Sequence, residues 1–181
     1  MKKCTTYTLG KTTIKKTPDY DPDTSYLGEY GRDLKPGCIV RIDKTFYEDI
    51  PDEWNTSEIK EAHYIHHEYP YFYPPDNGES PGTEDYRKYA LQDYQNMEDL
   101  YNQQWSFIGI TVTTRINTDM VISDEITNSL WGIEDHWDKD SRDYHNEMID
   151  DLKEENKAEL LKMGFAEKEI DESLNNAEEV D

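Results

Sequence analysis

The residues best equipped for chemistry in this chain are carboxylates. Between Asp138 and Glu159 there are nine acids in 22 residues. The spacing predicts a helix from Ser141 to Met163, closed by Gly164. On a wheel of 100° per residue, with Asp143 at the origin, Asp140, Asp143, Glu147, Asp150, Asp151 and Glu154 fall within an arc of about 100°. Tyr144, Met148, Ile149, Leu152, Leu160 and Met163 fall mainly on the other side. One face packs and the other presents acid. At 1.5 Å rise per residue the row carries roughly one charge per 3.7 Å, close to the ~3.4 Å axial spacing of phosphates along one DNA strand.

Such a row suits recognition rather than bond-making. Like charges at i, i+4 repel by a few tenths of a kcal/mol, and few Lys are interleaved here to relieve them. A cationic groove would relieve them, and in a cell such grooves chiefly belong to nucleases, polymerases and helicases. The competing reading is a solvated face that serves solubility alone. The predicted contact residues are Glu134, Asp135, Asp138, Asp140, Asp143, Glu147, Asp150, Asp151, Glu154 and Glu155.

Other groups give no comparable pattern. His63, His66, His67 and Glu68 invite a metal reading, but on a strand they divide between the two faces, with His66 and Glu68 sharing one, so no metal site is expected. The acids from Glu134 to Asp143 lack the central Gly and terminal Glu of a calcium loop. No GxSxG, Walker, GxGxxG or HExxH pattern occurs, and nothing in the sequence orients Cys38 against a His. The expectation is a protein that is not an enzyme and needs no cofactor.

The whole chain sets the same direction. Its 181 residues hold 41 Asp plus Glu against 19 Lys plus Arg, a net charge of −22. Residues 1–16 carry five Lys and no acid, so the acidity belongs to the rest. Nucleic acid is therefore not expected on the acidic face. Aromatics at 12% argue for a folded core over a disordered acidic chain. Two Cys without CxxC spacing read as free thiols of a reducing cytoplasm. No apolar stretch approaches a membrane span or a signal peptide.

The elements that must position the acids follow from period and punctuation. Residues 17–37 read as an ordered loop, CIVRID (38–43) as a strand and HYIHHEYPYFY (63–73) as a half-exposed strand. Thr83 caps a helix running to about Asn102. WSFIGITVTTRIN (105–117) and MVI (120–122) read as antiparallel strands at the centre of a sheet. A shorter helix from about Glu167 to Ala177 follows the acidic one. The fold class is α+β: a small antiparallel sheet with one packed helix and a C-terminal acidic helical hairpin or arm. By composition the chain divides into a basic segment (1–16), an α+β core (17–135) and an acidic helical region (136–181). The Tyr-rich run at 63–73 is compatible with a homodimer or a monomer.

Two resemblances bear on function. LLKMGFAEKEIDESL (160–174) resembles the first loop and two helices of a ubiquitin-associated domain, but no third helix follows. A Gly-capped turn with Phe165 packing back is the simpler expectation. SYLGEY (25–30), RKYALQDYQNME (87–98), WSFIGI (105–110), LWGIE (130–134) and the closing LLKMGF resemble a family of small acidic proteins of Firmicutes phages and mobile elements. The resemblance implies a phage accessory role in the bacterial cytoplasm. Size and charge are similar to those of anti-CRISPR proteins directed at Cas9, which implies as partner a basic host nuclease or its guide-RNA complex. Anti-restriction comes next. Trp137, Lys139 and Arg142 interrupt the family's acidic run after LWGIE. The alternatives are an acidic phage structural, assembly or adaptor protein, and an enzyme with a closed pocket.

Overall fold

The structure, a computed structural model, describes residues 7–33, 35, 37–41, 57–59, 71–76, 78–80, 83–118 and 124–180. In chain order the strands and helices are β1 (Tyr7–Pro18), β2 (Glu29–Gly31), β3 (Ile39–Arg41), β4 (Ser57–Ile59), β5 (Tyr71–Tyr73), α1 (Glu84–Tyr101), β6 (Ser106–Thr118), β7 (Asp124–Asp135), α2 (Lys139–Lys162), α3 (Glu167–Asn175) and β8 (Glu178–Val180). The architecture is α+β. Two compact units make it up: Met1–Pro22 with Ser106–Asp181, and Asp23–Trp105. This partition differs from the division by charge, because β1 joins the sheet that carries the acidic helices.

In the first unit the sheet order is β7-β6-β1-β8. β6 is antiparallel to both β1 and β7, and β8 runs parallel to β1. The run of β-branched residues in β6 explains its inner place, with Ile108, Ile110, Val112, Thr114 and Ile116 all buried. One bulge interrupts the β6–β7 register after Ile108, and Gly132 there takes φ +74, a conformation open to glycine. Asp19 Oδ2 accepts the Gly132 N–H at 3.0 Å and pins the bulge. Trp131 lies across Gly109, where any Cβ would collide with the indole.

One face of this sheet is covered by α2 and α3 in two apolar clusters. Ile149 and Leu152 of α2 pack with Ile14, Ile108, Ile110, Val112 and Ile133. Leu160 with Ile170 and Leu174 of α3 packs on Ile116 and Ile126, with Phe165 against them. Phe165 therefore does pack back across the Gly164 turn, at φ +93.

Between the clusters along the chain lies a polar layer. Asn156, fully buried, donates from Nδ2 to the Val112 carbonyl at 3.2 Å and to Thr114 Oγ1 at 3.4 Å, while its Oδ1 accepts from Asn128 Nδ2 at 2.7 Å. Thr114 Oγ1 lies 3.0 Å from Thr12 Oγ1, which lies 2.8 Å from Ser173 Oγ, the donor to the Gly10 carbonyl at 3.1 Å. Since each hydroxyl has one proton, the only consistent direction runs from Asn128 through Asn156, Thr114, Thr12 and Ser173 to Gly10. Every member is satisfied, and removing one leaves buried partners unpaired.

In the second unit the three-residue strands order as β2-β5-β3-β4. Thr83 Oγ1 caps α1 by accepting the Tyr86 N–H at 3.2 Å. Tyr86, Ala90, Tyr94 and Met97 give α1 its buried face. Tyr30 packs edge-on to Phe72, Tyr94 and Tyr101, and its hydroxyl donates to the buried Glu98 carboxylate at 2.6 Å. Burial, then that hydrogen bond, pushes the Tyr30 phenol upward.

Several strand expectations change. β1 stands where the sequence reading had only a basic segment, and β7 starts at Asp124, whereas the expected strand at 120–122 lies outside the described residues. So do 63–70, with their His cluster, and 42–43. β1 escapes period-2 reading because its buried positions are Thr12 and Ile14 amid Lys and Thr. Replacing Asn156 with Ala should lower unfolding stability by about 1–3 kcal/mol through the orphaned Val112 carbonyl and Asn128 amide. Urea unfolding followed by circular dichroism measures this; an unchanged midpoint would contradict the buried network.

Candidate partner-binding surface

The buried positions of α2 are Ser141, His145, Ile149, Leu152, Asn156 and Leu160, spaced four, four, three, four and four residues apart. They form one stripe, and the acids lie opposite. Asp138, Asp140, Asp143, Glu147, Asp150, Asp151, Glu154 and Glu155 are all exposed, whereas Glu134 and Asp135 are half-buried. The 24 residues of α2 make a helix about 36 Å long, of which the row from Asp140 to Glu155 covers about 22 Å.

Cations do little to neutralise it. Lys153 Nζ stands 3.9 Å from Asp150. Among the described residues, Asp140, Asp143, Glu147, Asp151, Glu154 and Glu155 form no ion pair. Lys157 turns to α3 instead, 2.8 Å from Asp171 and 3.1 Å from Glu167. Those two contacts, Asp171 first, hold its ammonium above the ordinary lysine value.

Three of the predicted acids serve the entry to α2. Asp138 is the N-cap: its Oδ1 accepts the Ser141 N–H at 2.7 Å. The Ser141 backbone bond, then the Ser141 hydroxyl, holds its carboxyl below the ordinary aspartate value. Asp135 Oδ1 accepts the Trp137 N–H at 3.0 Å. Glu134 sits on β7 with its carboxylate 3.1 Å from His136 Nε2, and its carbonyl accepts from Nε2 of the buried His145 at 3.2 Å. That last bond places the His145 proton on Nε2.

Aromatic rings flank the acids. Trp137, which reads in sequence as an interruption, is 58% exposed and held at φ +56. A bulky residue in the left-handed region is strained, so the turn is imposed by its surroundings. Tyr144, one turn into α2, is 48% exposed. The wheel sets Tyr144 on the packing side, where the structure leaves it exposed, and the exposure of Trp137 depends on the turn before the helix, which no period describes.

A cleft of ≈ 380 Å³ opens beside α3, where Glu169, Glu172 and Glu178 approach Lys11, Thr12 and Ser173. Its acids have local partners: Glu169 accepts the Leu9 N–H at 3.2 Å, Glu172 lies 3.8 Å from Lys168, and Glu178 pairs with Lys11. Among the described residues no group of three or more His, Cys, Asp or Glu is placed to hold a metal ion. Among them, too, no helix is long and apolar enough to cross a membrane. Cys38 is buried, and burial pushes its thiol up, away from the reactive thiolate. No protein-family model, curated protein or solved structure matches this chain.

Asp138 gives a pH test of the helix entry. Its folded-state value lies below its unfolded one, so its stabilisation is present above the ordinary aspartate range and is lost as pH falls through the folded value. Asp138→Asn retains a capping oxygen without titrating. Between about pH 4 and pH 2 the variant should lose stability less steeply than the parent protein in thermal melts. Parallel profiles would show that the cap carries no charge-dependent share.

Proposed function

We propose that this chain is a non-enzymatic binding inhibitor that places the carboxylate face of α2 in a basic, nucleic-acid-binding groove of a host protein. The observation that carries the reading is the row of exposed acids on α2, six of them without an ion pair among the described residues. Charge at this density steers encounter with a cationic groove and makes binding salt-sensitive. Trp137 and Tyr144 supply the large, partly desolvated contacts that such charge alone does not. The resemblance to phage-encoded acidic proteins favours a guide-RNA-loaded Cas9-type nuclease as target, with restriction enzymes next. The channel that holds the guide–target heteroduplex there is positively charged, so an acidic helix competes with DNA for it.

The test is association of the purified protein with guide-loaded Cas9 by biolayer interferometry at low and moderate salt. A second protein carries Asn or Gln at Asp143, Glu147, Asp150, Asp151 and Glu154. The reading expects the parent protein to bind and to weaken by about tenfold or more on neutralisation and likewise on raising salt. Binding that ignores both changes would favour an assembly or adaptor role, and equal absence of binding would remove this nuclease as the target. Trp137→Ala should weaken association by about 1–2 kcal/mol while leaving its salt dependence intact, as expected of an anchor rather than a charge.

A further inference from the structure

At the margin of the sheet away from β8, β7 has no strand on its outer side among the described residues. Its central run Ile126–Leu130 lies in register with Thr114–Ile110 of β6, a regular stretch of about 17 Å before the bulge at Gly132. In an antiparallel ladder every second residue of an edge strand turns both its N–H and its C=O away from the neighbouring strand. The backbone bonds that β7 makes outside the ladder are at Glu125, Gly132 and Glu134. Among the described residues the outward groups of Ile126–Leu130 therefore have no hydrogen-bond partner. Thr127, Ser129 and Leu130 are exposed along the same run.

The two faces beside this edge differ. Leu130 opposes Ile110, which packs beneath α2, so it belongs to the helix-covered face, yet at the sheet margin it stays 41% exposed. On that side Glu159 Oε1 of α2 accepts from Asn128 Nδ2 at 3.4 Å, and Glu155, one turn earlier, lies along the same flank of the helix. Neither carboxylate forms an ion pair among the described residues, since Lys157 is turned to α3. On the other face Trp131 lies across Gly109 and is 52% exposed.

We propose that the Ile126–Leu130 edge of β7 receives an extended basic segment of the partner, which adds to the four-stranded sheet as a fifth strand. The inference rests on the cationic-partner reading of α2 and gives that partner a second, different contact. Backbone ladder bonds supply the affinity, and alternate side chains of the incoming strand supply the selectivity. On the helix side, Lys or Arg at every second position meet Glu155 and Glu159, while their aliphatic stems cover Leu130. On the other side, β-branched residues lie against Trp131 and Thr127. A second copy of the chain is the poorer occupant, because it brings another net charge of −22 to an edge already flanked by acids.

The experiment compares the full chain with its Glu155→Gln/Glu159→Gln variant. The probe is a fluorescein-labelled peptide, Val-Lys-Val-Lys-Val-Lys-Thr, with one counterpart bearing Glu for Lys and another bearing Pro for Val, which keeps the charge but cannot pair as a strand. The Lys/Val peptide should bind the parent protein ~10-fold or more tightly than either counterpart, and ~10-fold or more tightly than it binds the variant. With that peptide bound, hydrogen exchange at the outward amides of Ile126–Leu130 should slow by ~10-fold or more. Equal binding of the Pro counterpart would mean attraction to acids without strand pairing, and no binding, or protection away from β7, would mean that the edge is not a site. Equal affinity for parent and variant would remove the two carboxylates, and the basic selection with them. A parent protein that dimerises in sedimentation with the same amides protected would assign the edge to a second copy and overturn the proposed occupant. No nuclease enters the assay and neither Glu155 nor Glu159 is among the five acids neutralised there, so this inference and the reading of α2 fail separately.

Discussion

The rotation of α2 on its sheet rests on Asn156. A helix packed only by aliphatic residues can slide or turn by part of a residue at small cost, since one methyl replaces another. A buried amide cannot, because each displacement orphans a donor or an acceptor in a region that water does not reach. Asn156 is tied to the Val112 carbonyl, Thr114 and Asn128, and thus to both β6 and β7. Through Thr12 and Ser173 the same chain of hydrogen bonds reaches β1 and α3. With the buried stripe fixed in this way, the acids of α2 have one direction left to face.

That face is unfavourable for the isolated protein. Asp138 and Asp140, at the start of α2, interact well with the helix dipole, but Glu159 stands in its last turn, where a carboxylate is disfavoured. Lys162 in the last turn opposes this only locally. Acid–acid repulsion along the exposed side adds to the strain of a chain that already carries −22. Where cations are used structurally, they are used elsewhere: Lys157 joins α2 to α3, and Lys11 and Lys16 hold β8. The lysines support the frame and leave the α2 face negative.

Legibility in the sequence tracked how strongly each element depends on local rules. α1 was readable from Thr83 and the helical spacing of Tyr86, Tyr89, Ala90, Met97, Leu100 and Tyr101, of which Tyr86, Ala90 and Met97 are buried. α2 was readable from its wheel, and the Gly164 turn closed it as expected. β6 stood out by its β-branched run. β1 and β7 did not, because buried Thr12 and half-buried Asn128 count as polar in any pattern although their side chains complete the interior network. The bulge at Gly132 reverses the alternation within β7 as well, which hides its buried face. For the candidate surface, the row from Asp140 to Glu154 was visible in the wheel, whereas the structural duties of Asp138, Asp135 and Glu134 depend on a turn that no period describes.

Carboxyl footprinting of the complex addresses the α2 face most directly. Carbodiimide-driven glycine ethyl ester labelling, read by mass spectrometry, reports each acid separately in the free protein and with guide-loaded Cas9. Glu84 and Asp85, exposed in the first turn of α1, serve as internal references. Asp143, Glu147, Asp150, Asp151 and Glu154 should lose labelling together while Glu84 and Asp85 retain it. Undiminished labelling along α2 in a complex that forms, or protection confined to other acids, would contradict a contact through this face.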